Sequence, residues 1–384
     1  MASDSDSLPR RSEAEAGRRI LVRGTNWLGD AVMTTPALRR LREKFLKAHI
    51  ALLTPEKLSD LWLHHPAVNE TIAFAPGEGV FSVGRRLRAG RFDLALVLPN
   101  SPRSALEMWL ARIPQRIGYA RPGRNWFLTR SILDRAGAVT MQKRSVAEIK
   151  RLVAPNPEVG TQTPDTRRQP PASAHQIHEY LHLAAALGAN PEPPPPQLFV
   201  TDAEVESARK KFGLEKIARP VFGLNPGAEY GPAKRWPLDK FIAAAREVQQ
   251  RTRCTWLVFG GPAEAALAGR IESAIPSPPS AVWNLAGKTS LRELMALLRL
   301  CRALLTNDTG PMHVAAALGT PVIVPFGSTS PELTSPGLPG DLRHRLLKSD
   351  ASCSPCFLRE CPIDFRCMNG ITVERVVEAV LSAI

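Results

Sequence analysis

The sequence predicts an α/β protein built from two doubly wound parallel-sheet halves. Short apolar runs, typical of buried parallel strands, alternate with helical segments from residue 20 to residue 98. The same alternation begins again at residue 220 and continues to residue 326. Between the halves, the prolines of residues 190–196 predict a semi-rigid connection. Because a chain of 384 residues exceeds the usual size of one core, two Rossmann-like domains are expected.

Each element follows from this pattern. In the first half, strands are predicted at residues 20–22, 49–53, 71–74 and 92–98, and a helix at residues 178–187. In the second half, strands are predicted at residues 220–224, 255–260, 303–306 and 321–326, and helices at residues 238–249, 263–274, 291–300 and 311–318. The last segment, residues 371–383, is predicted to be an amphipathic helix because its valines recur at helical spacing.

The expected domain boundaries follow from composition. Residues 1–17 are polar and aperiodic, so a disordered tail is expected. Residues 18–200 form the predicted N-terminal domain, in which residues 154–174 should be a mobile loop because they have almost nothing to bury. Residues 201–384 form the predicted C-terminal domain, which includes a cysteine-rich loop at residues 353–367.

The net charge of +14 is concentrated in one segment. Residues 81–151 contain 15 basic side chains and four acidic ones. Such a field attracts polyanions, whether nucleic acid, an anionic membrane surface or an acidic substrate, although a merely solvated basic face is the alternative. The arginines of this segment that we expect to be exposed include Arg85, Arg86, Arg88, Arg121 and Arg124.

Composition also bears on location. No apolar run approaches the about 18 residues that a membrane span needs. Residues 1–7 lack the apolar region of a secretory signal. We therefore expect a cytoplasmic protein.

A strand-to-helix turn in the second half has the chemistry of an anion site. The stretch T-N-D-T-G-P-M-H lies between a short apolar strand and an Ala-rich helix. Asn307 or Asp308 is expected to cap this helix, and Gly310 lets the backbone approach a ligand. The N–H groups of the first helical turn would then bind a phosphate, although an ordinary capped helix is the alternative. Asp30 and Asn100 fall at the carboxyl ends of other predicted strands, where ligands of such sheets bind.

Five motifs together carry a resemblance to a known family. They are N-W-L-G-D at residues 26–30, N-P-G-A-E-Y-G-P-A-K-R-W-P at 225–237, F-G-G-P-A-E at 259–264, L-A-G at 285–287 and N-D-T-G-P-M-H at 307–313. In order and spacing, the chain from about residue 20 onward resembles the ADP-heptose:lipopolysaccharide heptosyltransferases, glycosyltransferase family 9. The second motif resembles the second enzyme of the family's inner-core pair more than the first.

This resemblance implies a fold and a reaction. The fold would be GT-B, with two Rossmann-like domains facing across a cleft. The reaction would be transfer, with inversion, of L-glycero-D-manno-heptose from ADP-heptose to the heptose of a lipid A–Kdo–heptose acceptor, in the building of the lipopolysaccharide inner core. The enzyme would be a peripheral protein at the cytoplasmic face of the inner membrane.

The resemblance also implies catalytic roles. Displacing ADP with inversion needs a base on the acceptor hydroxyl and stabilisation of the leaving diphosphate. Asp30 corresponds to the family's base, although it could instead cap the following helix. Lys234 would meet the diphosphate as a point charge, and Thr309 and Gly310 would donate hydrogen bonds to it.

The remaining donor-binding roles are also implied by the resemblance. The residues concerned are Glu264, Leu285, Ala286, Gly287, Asp308 and His313. Glu264 would bind the ribose diol and the turn at residues 285–287 would accommodate adenine. The other two residues would reach heptose hydroxyls.

Two sequence patterns bear on metal binding. No catalytic metal is expected, because the only D-x-D pair lies at residues 4–6, in the tail, and Lys234 and the helix N-terminus would replace the cation. The thiols of Cys353, Cys356, Cys361 and Cys367 fit a structural zinc site in number, although the second pair lacks C-x-x-C spacing. Free thiols in a loop, or a redox-sensitive pair, are the alternatives.

Two other functions are compatible with parts of this pattern. One is transfer of a different sugar from its nucleotide by the same scaffold. The other is nucleic-acid binding on a degenerate GT-B scaffold, which the basic segment allows. We do not expect the latter, on the ground that no stacking aromatics interleave the arginines.

Overall fold

The computed structural model describes residues 17–154, 172–275 and 281–383. These residues form two compact units. The described part of the first unit comprises residues 17–26, Thr34–Ala136 and Ile177–Pro194, and all other described residues form the second. Trp27–Met33 and the described part of residues 137–176 therefore pack with the second unit, although they precede the boundary suggested by the sequence at residue 200.

The first unit is organised around a six-stranded parallel sheet. Its strands are β1 (Arg19–Arg23), β2 (His49–Pro55), β3 (Glu70–Phe74), β4 (Leu94–Val97), β5 (Gln115–Tyr119) and β6 (Arg130–Ile132). They lie in the order β3-β2-β1-β4-β5-β6, so the chain winds outward in both directions from β1 and β4. This is the doubly wound topology that the sequence predicts.

The second unit repeats the arrangement. Its strands are β7 (Val221–Asn225), β8 (Thr255–Val258), β9 (Val282–Asn284), β10 (Leu304–Thr306), β11 (Val322–Phe326) and β12 (Arg345–Lys348). They lie in the order β12-β11-β10-β7-β8-β9, and every pair is parallel. In both sheets the central strands bury both faces, so the expected α/β class with two Rossmann-like sheets is confirmed.

Fourteen helical segments of the described residues connect and flank these strands. In chain order they are α1 (Leu28–Met33), α2 (Thr35–Lys44), α3 (Val80–Arg88), α4 (Pro102–Leu110), α5 (Val146–Val153), α6 (Ile177–Ala185), α7 (Asp202–Lys211), α8 (Leu238–Thr252), α9 (Ala265–Ala274), α10 (Leu291–Leu300), α11 (Gly310–Ala317), α12 (Pro331–Thr334), α13 (Arg366–Asn369) and α14 (Val373–Leu381). Short 3₁₀ helices occur at Glu56–Trp62, Asn125–Phe127, Ala172–Ala174, Pro232–Lys234 and Pro262–Glu264. Within the described chain, no helix is long and apolar enough to cross a membrane.

All eight predicted strands are present, but four strands were not predicted. These are β5, β6, β9 and β12, of which the last three are sheet edges. Edge strands are only partly covered, as the half-exposed residues of β9 and β12 show, so they need no continuous apolar run. Of the predicted tail and mobile loop, residues 1–16 and 155–171 lie outside the described residues.

Candidate active site

The N-terminus of α11 is packed tightly against α1. A Cβ atom at Gly29 would lie 2.8 Å from Cδ2 of His313, and one at Gly310 would lie 2.9 Å from Cβ of Leu28. Both contacts are closer than real Cβ atoms allow, so only glycine permits this approach of the two helices. The result is that Asp30, in the first turn of α1, lies beside the turn that precedes α11.

Asp30 has an unusually basic carboxylate. Burial raises its pKa from 3.8 to about 6. A hydrogen bond that Gln176 Nε2 donates to Asp30 Oδ1, at 3.3 Å, and the charge of Lys234 act in the opposite direction, while the charge of Asp308 raises the pKa further. At neutral pH the group is largely ionised yet more basic than an ordinary aspartate, which suits a general base. It lies inside α1 and does not cap it.

Lys234 is held by a buried ion pair. Its Nζ lies 2.7 Å from Oδ2 of Asp308, with only 15% and 4% of the two side chains exposed. The hydroxyl of Thr329 donates to the same carboxylate oxygen at 2.6 Å. The ammonium also stands 4.9 Å from the ring centre of Tyr230, a cation–π distance. A positive charge is thus fixed beside Asp30.

Among the described residues, the first turn of α11 receives no capping hydrogen bond from its N-cap side chain. Thr309 is the N-cap residue, with φ −145°, and no cap hydrogen bond comes from its side chain. The expected capping by Asn307 or Asp308 is wrong because both side chains are otherwise engaged. Asn307 accepts from the N–H of Trp236 at 2.9 Å and donates to the carbonyl of Pro226 at 2.8 Å.

The backbone N–H groups of this turn are therefore available to a ligand. The hydroxyl of Thr309 accepts from Asn225 Nδ2 at 3.2 Å, which orients the turn without satisfying the N–H groups of α11. Backbone N–H groups at the positive end of a helix bind anions, and phosphate in particular.

Glu264 lies on a surface lined by glycines. Its Oε2 accepts from the N–H of Gly261 at 2.8 Å. A Cβ at Gly227 would lie 2.5 Å from Glu264 Cγ, and one at Gly260 would lie 2.8 Å from Glu264 Cβ, so both positions require glycine. Asn307 donates to the carbonyl of Gly227 at 3.2 Å, which links this surface to the turn before α11.

The turn at residues 285–287 lies next to Glu264. Gly287 has φ +72°, a left-handed conformation that favours glycine, and its N–H donates to the carbonyl of Gly260 at 2.9 Å. The side chains of Leu285 and Ala286 are buried in the second unit. Any contact of this turn with a base would therefore be made largely by its backbone.

His313 is buried and uncharged. Only 5% of the residue is exposed, and burial lowers its pKa to about 4. Its ring packs against Gly29. The predicted contact of His313 with a sugar hydroxyl stays a prediction, but it would be made by a neutral imidazole.

Arg124 of the first unit departs from expectation. The sequence suggested an exposed arginine, whereas the side chain is fully buried. Its Nη1 donates to Oδ1 of Asn100 at 3.2 Å, but Nε and Nη2 are buried and have no hydrogen-bond partner among the described residues. Burial lowers its pKa to about 10, so it stays charged at neutral pH. A buried guanidinium with unused donors is suited to an anionic ligand.

The four cysteines of the C-terminal loop lie close enough to influence one another. Burial, and secondarily the neighbouring thiols, raises the pKa of Cys353 and raises that of Cys367 to about 12. However, no group of three or more His, Cys, Asp or Glu side chains in the described residues could hold a metal ion. The described residues thus show no assembled group of metal ligands, and the zinc site stays a prediction; Cys353 and Cys356 pack with Ile149 as small apolar groups.

The cysteine loop supports the site through its backbone. The N–H of Phe357 donates to the carbonyl of Ser328 at 2.7 Å, one residue before the Thr329 that contacts Asp308. The carbonyl of Phe357 accepts from the hydroxyl of Tyr230 at 2.8 Å. The loop thus positions the groups around the Lys234 ion pair.

Comparison with known families identifies the chain. Residues 80–365 match the model of glycosyltransferase family 9 (heptosyltransferase), which is more than half of the sequence. The chain belongs to glycosyltransferase family 9. The family resemblance inferred from the five motifs is thus confirmed.

The sequence of this family 9 protein is similar to those of two heptosyltransferases. It is 33% identical over 334 residues to lipopolysaccharide heptosyltransferase 2 of Salmonella typhimurium, covering 83% of this chain and 85% of that protein. It is 32% identical to the protein of the same name from Escherichia coli, with the same coverage. The resemblance to the second enzyme of the pair is thus borne out by the sequences.

Solved structures agree with the fold. The family 9 chain superposes on the E. coli ADP-heptose lipopolysaccharide heptosyltransferase II with a TM-score of 0.74 and 28% identity, over 95% of this chain and 98% of that one. With its two six-stranded parallel sheets, this confirms the GT-B class expected from the resemblance.

Several residues of the family 9 site are not predicted by the motifs. Gln176 contacts Asp30, and Thr329 contacts Asp308. Neither Gln176 nor Thr329 lies in one of the five motifs. Asn225 and Asn307 open two of the quoted motifs, but the motifs predict no role for Asn225, and the predicted capping role of Asn307 is wrong. A signal was available for Asn307, because an amide that both donates and accepts suits the joining of two backbone turns.

Proposed function

We propose that this protein transfers L-glycero-D-manno-heptose from ADP-heptose to the heptose of the lipopolysaccharide inner core, with inversion and without a catalytic metal. The observation that carries the proposal is the grouping of a carboxylate of pKa about 6, a fixed ammonium and an uncapped helix N-terminus where α1 packs against the first turn of α11. The heptosyltransferase 2 relatives supply the substrate class.

Asp30 is the proposed base. As the acceptor hydroxyl attacks the anomeric carbon, its proton passes to the Asp30 carboxylate and the bond from that carbon to the ADP oxygen breaks. Attack opposite the leaving group inverts the anomeric centre. A pKa of about 6 lets Asp30 be ionised at neutral pH and still accept the proton readily.

Lys234 and the first turn of α11 stabilise the departing diphosphate in this proposal. One of the three Lys234 N–H bonds donates to Asp308 Oδ2, which fixes the ammonium before the donor binds. From Gly310 onward, the backbone N–H groups of the first helical turn present the positive end of the helix dipole, which adds to the positive charge of Lys234. Together they provide the charge stabilisation that a divalent cation would otherwise supply.

The nucleotide and sugar take the neighbouring positions. Glu264, whose Oε2 already binds Gly261, has a second carboxylate oxygen for the ribose diol. The turn at residues 285–287 lies next to it for adenine. Asp308 and the neutral imidazole of His313 are the proposed partners of heptose hydroxyls.

The first unit is proposed to bind the acceptor. Arg124 has two buried donor atoms without partners among the described residues, and the acceptor carries carboxylates and phosphates. Bidentate recognition of such an anion would satisfy the guanidinium. Because the acceptor is lipid-linked, we propose that the protein works in the cytoplasm, at the inner face of the cytoplasmic membrane.

Turnover with defined substrates tests the proposal. Purified protein should release ADP from ADP-heptose only when an acceptor ending in the first inner-core heptose is present, and chelation of divalent metal should not reduce the rate. Proton NMR of the product should show the inverted anomer. Equal turnover of a different sugar nucleotide would favour the other transferase, and retention of configuration would exclude the single-displacement mechanism.

A further inference from the structure

The first unit carries exposed aromatic side chains on three neighbouring elements. Phe81 of α3 is 74% exposed, Trp109 of α4 is 48% exposed and Trp126, in the 3₁₀ helix Asn125–Phe127, is 89% exposed. Large aromatic side chains usually bury most of their surface. Three of them left in water within one unit require an explanation.

The three elements are neighbours in the first unit. A Cβ at Gly84 of α3 would lie 2.6 Å from Cβ of Leu110, so α3 and α4 are in direct backbone-level contact there. At the other side of α4, the ring of Trp109 meets the ring of Phe127 edge-on, with centroids 6.0 Å apart. The 3₁₀ helix that carries Trp126 is therefore the next neighbour of α4.

Unpaired arginines accompany the aromatic rings. On α3, Phe81, Arg85 and Arg88 lie four and three residues apart and so share one face, opposite the buried Val83 and Leu87. Arg112 follows Trp109 by three residues. These three arginines are exposed, and none has a side-chain hydrogen bond or ion pair among the described residues.

The expectation that no aromatics accompany the basic residues is therefore wrong. Phe81, Trp109 and Trp126 lie in the basic segment and are exposed. In sequence they stand among many other apolar residues, and only the tertiary structure distinguishes exposed rings from core rings such as Phe92.

We propose that this aromatic–arginine surface (Phe81, Arg85, Arg88, Trp109, Arg112 and Trp126) docks on an anionic phospholipid bilayer. Aromatic rings are favoured at the level of lipid headgroups, and unpaired arginines are attracted by anionic lipid. A second copy of this chain is disfavoured as the occupant, because a two-fold contact would oppose like-charged arginines. The proposal rests on the proposed function in one respect, namely that a lipid-linked acceptor gives the enzyme a reason to meet a membrane.

Vesicle co-sedimentation of the whole chain tests the surface independently of catalysis. Vesicles of phosphatidylcholine alone and of phosphatidylcholine mixed with phosphatidylglycerol serve as probes. We expect binding only to the anionic vesicles. The combined F81S, W109S and W126S variant should bind about 100-fold more weakly, since each ring loses a large part of its apolar transfer.

The arginines give a second, separable readout. Each arginine near an anionic surface contributes about fivefold to binding, so R85Q with R88Q and R112Q should also weaken binding about 100-fold and remove most of its salt dependence. Matched controls are Leu46→Ser, an apolar residue 75% exposed in the same unit, and Arg302→Gln, an exposed arginine of the second unit. Both controls should bind as the unmodified protein does.

Activity separates this proposal from the proposed function. The aromatic variant should keep its kcat with a lipid-free core oligosaccharide and lose rate only with acceptor embedded in vesicles. The docking proposal is overturned if the unmodified protein does not bind anionic vesicles, or if the aromatic variant binds them unchanged. It is also overturned if the aromatic variant loses only self-association, or only binding to a single-stranded RNA. Absence of heptose transfer with vesicle binding intact would instead contradict the proposed function.

Discussion

Replacement of Asp30 by asparagine should lower activity and raise stability at neutral pH. The folded protein raises the pKa of this carboxyl from 3.8 to about 6, so folding disfavours its ionised form. At about 1.4 kcal/mol per unit of pKa, the full shift corresponds to about 3 kcal/mol. Because the residue keeps partial contact with water, we expect Asp30→Asn to raise the free energy of unfolding by about 1–2 kcal/mol at pH 7.5.

The pH dependence gives the sign of this effect. Below pH 3.8 the carboxyl is protonated in both the folded and the unfolded state, so the wild type and the Asp30→Asn variant should differ little in stability. As the pH rises from 3.8 to about 6, the unfolded chain ionises before the folded one, so the wild type loses stability relative to the variant. Above about pH 6 the gap should be constant. Urea unfolding at several pH values between these limits measures it.

The catalytic consequence is measured on the same proteins. Asp30→Asn should bind ADP as the wild type does, by calorimetry, but lose kcat by roughly 100-fold or more. In the wild type, kcat/KM should fall with decreasing pH below about 6. A variant with near-wild-type kcat would place the base elsewhere. A stability gap that is absent at pH 7.5, or that widens toward acid, would refute the raised pKa.

Four further changes test the other parts of the site. Gln176→Leu removes the hydrogen bond that lowers the Asp30 pKa, so the acidic limb of kcat/KM should move to higher pH, and an unmoved limb would contradict this contact. Lys234→Met should lower kcat at least about 100-fold. It should also lower the free energy of unfolding by about 3 kcal/mol, because it leaves the buried Asp308 charge without its ion-pair partner. Adding Asp308→Asn should restore the stability measured by urea unfolding but not the kcat. Arg124→Gln should raise the acceptor KM about tenfold with an unchanged donor KM and no loss of thermal midpoint, whereas a purely structural arginine would destabilise on removal. Gly29→Ala should cost about 1–3 kcal/mol and lower kcat because its Cβ meets His313 at 2.8 Å, while Gly269→Ala, with no atom of the described residues within 4 Å, should be neutral or stabilising.

The local pattern of apolar and polar residues was sufficient to predict most of the fold. The central strands of each sheet are buried on both faces, so each consists of a continuous run of apolar residues that can be recognised from the sequence. Edge strands such as β9 and β12 are free of that requirement and left no such signal. For the same reason the exposed rings of Trp109 and Trp126 could not be told from core residues by type alone.

The sequence alone also determined the class of the site, because glycines and polar residues at strand ends mark ligand-binding turns. Only the tertiary structure decided how the side chains act. The basicity of Asp30 arises from burial and is moderated by Gln176, which lies 146 positions away. Asn307 joins two turns instead of capping a helix, and Arg124 is buried with unused donors instead of exposed. These properties depend on which distant segments pack together, and burial, hydrogen-bond partners and pKa are set by that packing and not by neighbours in sequence.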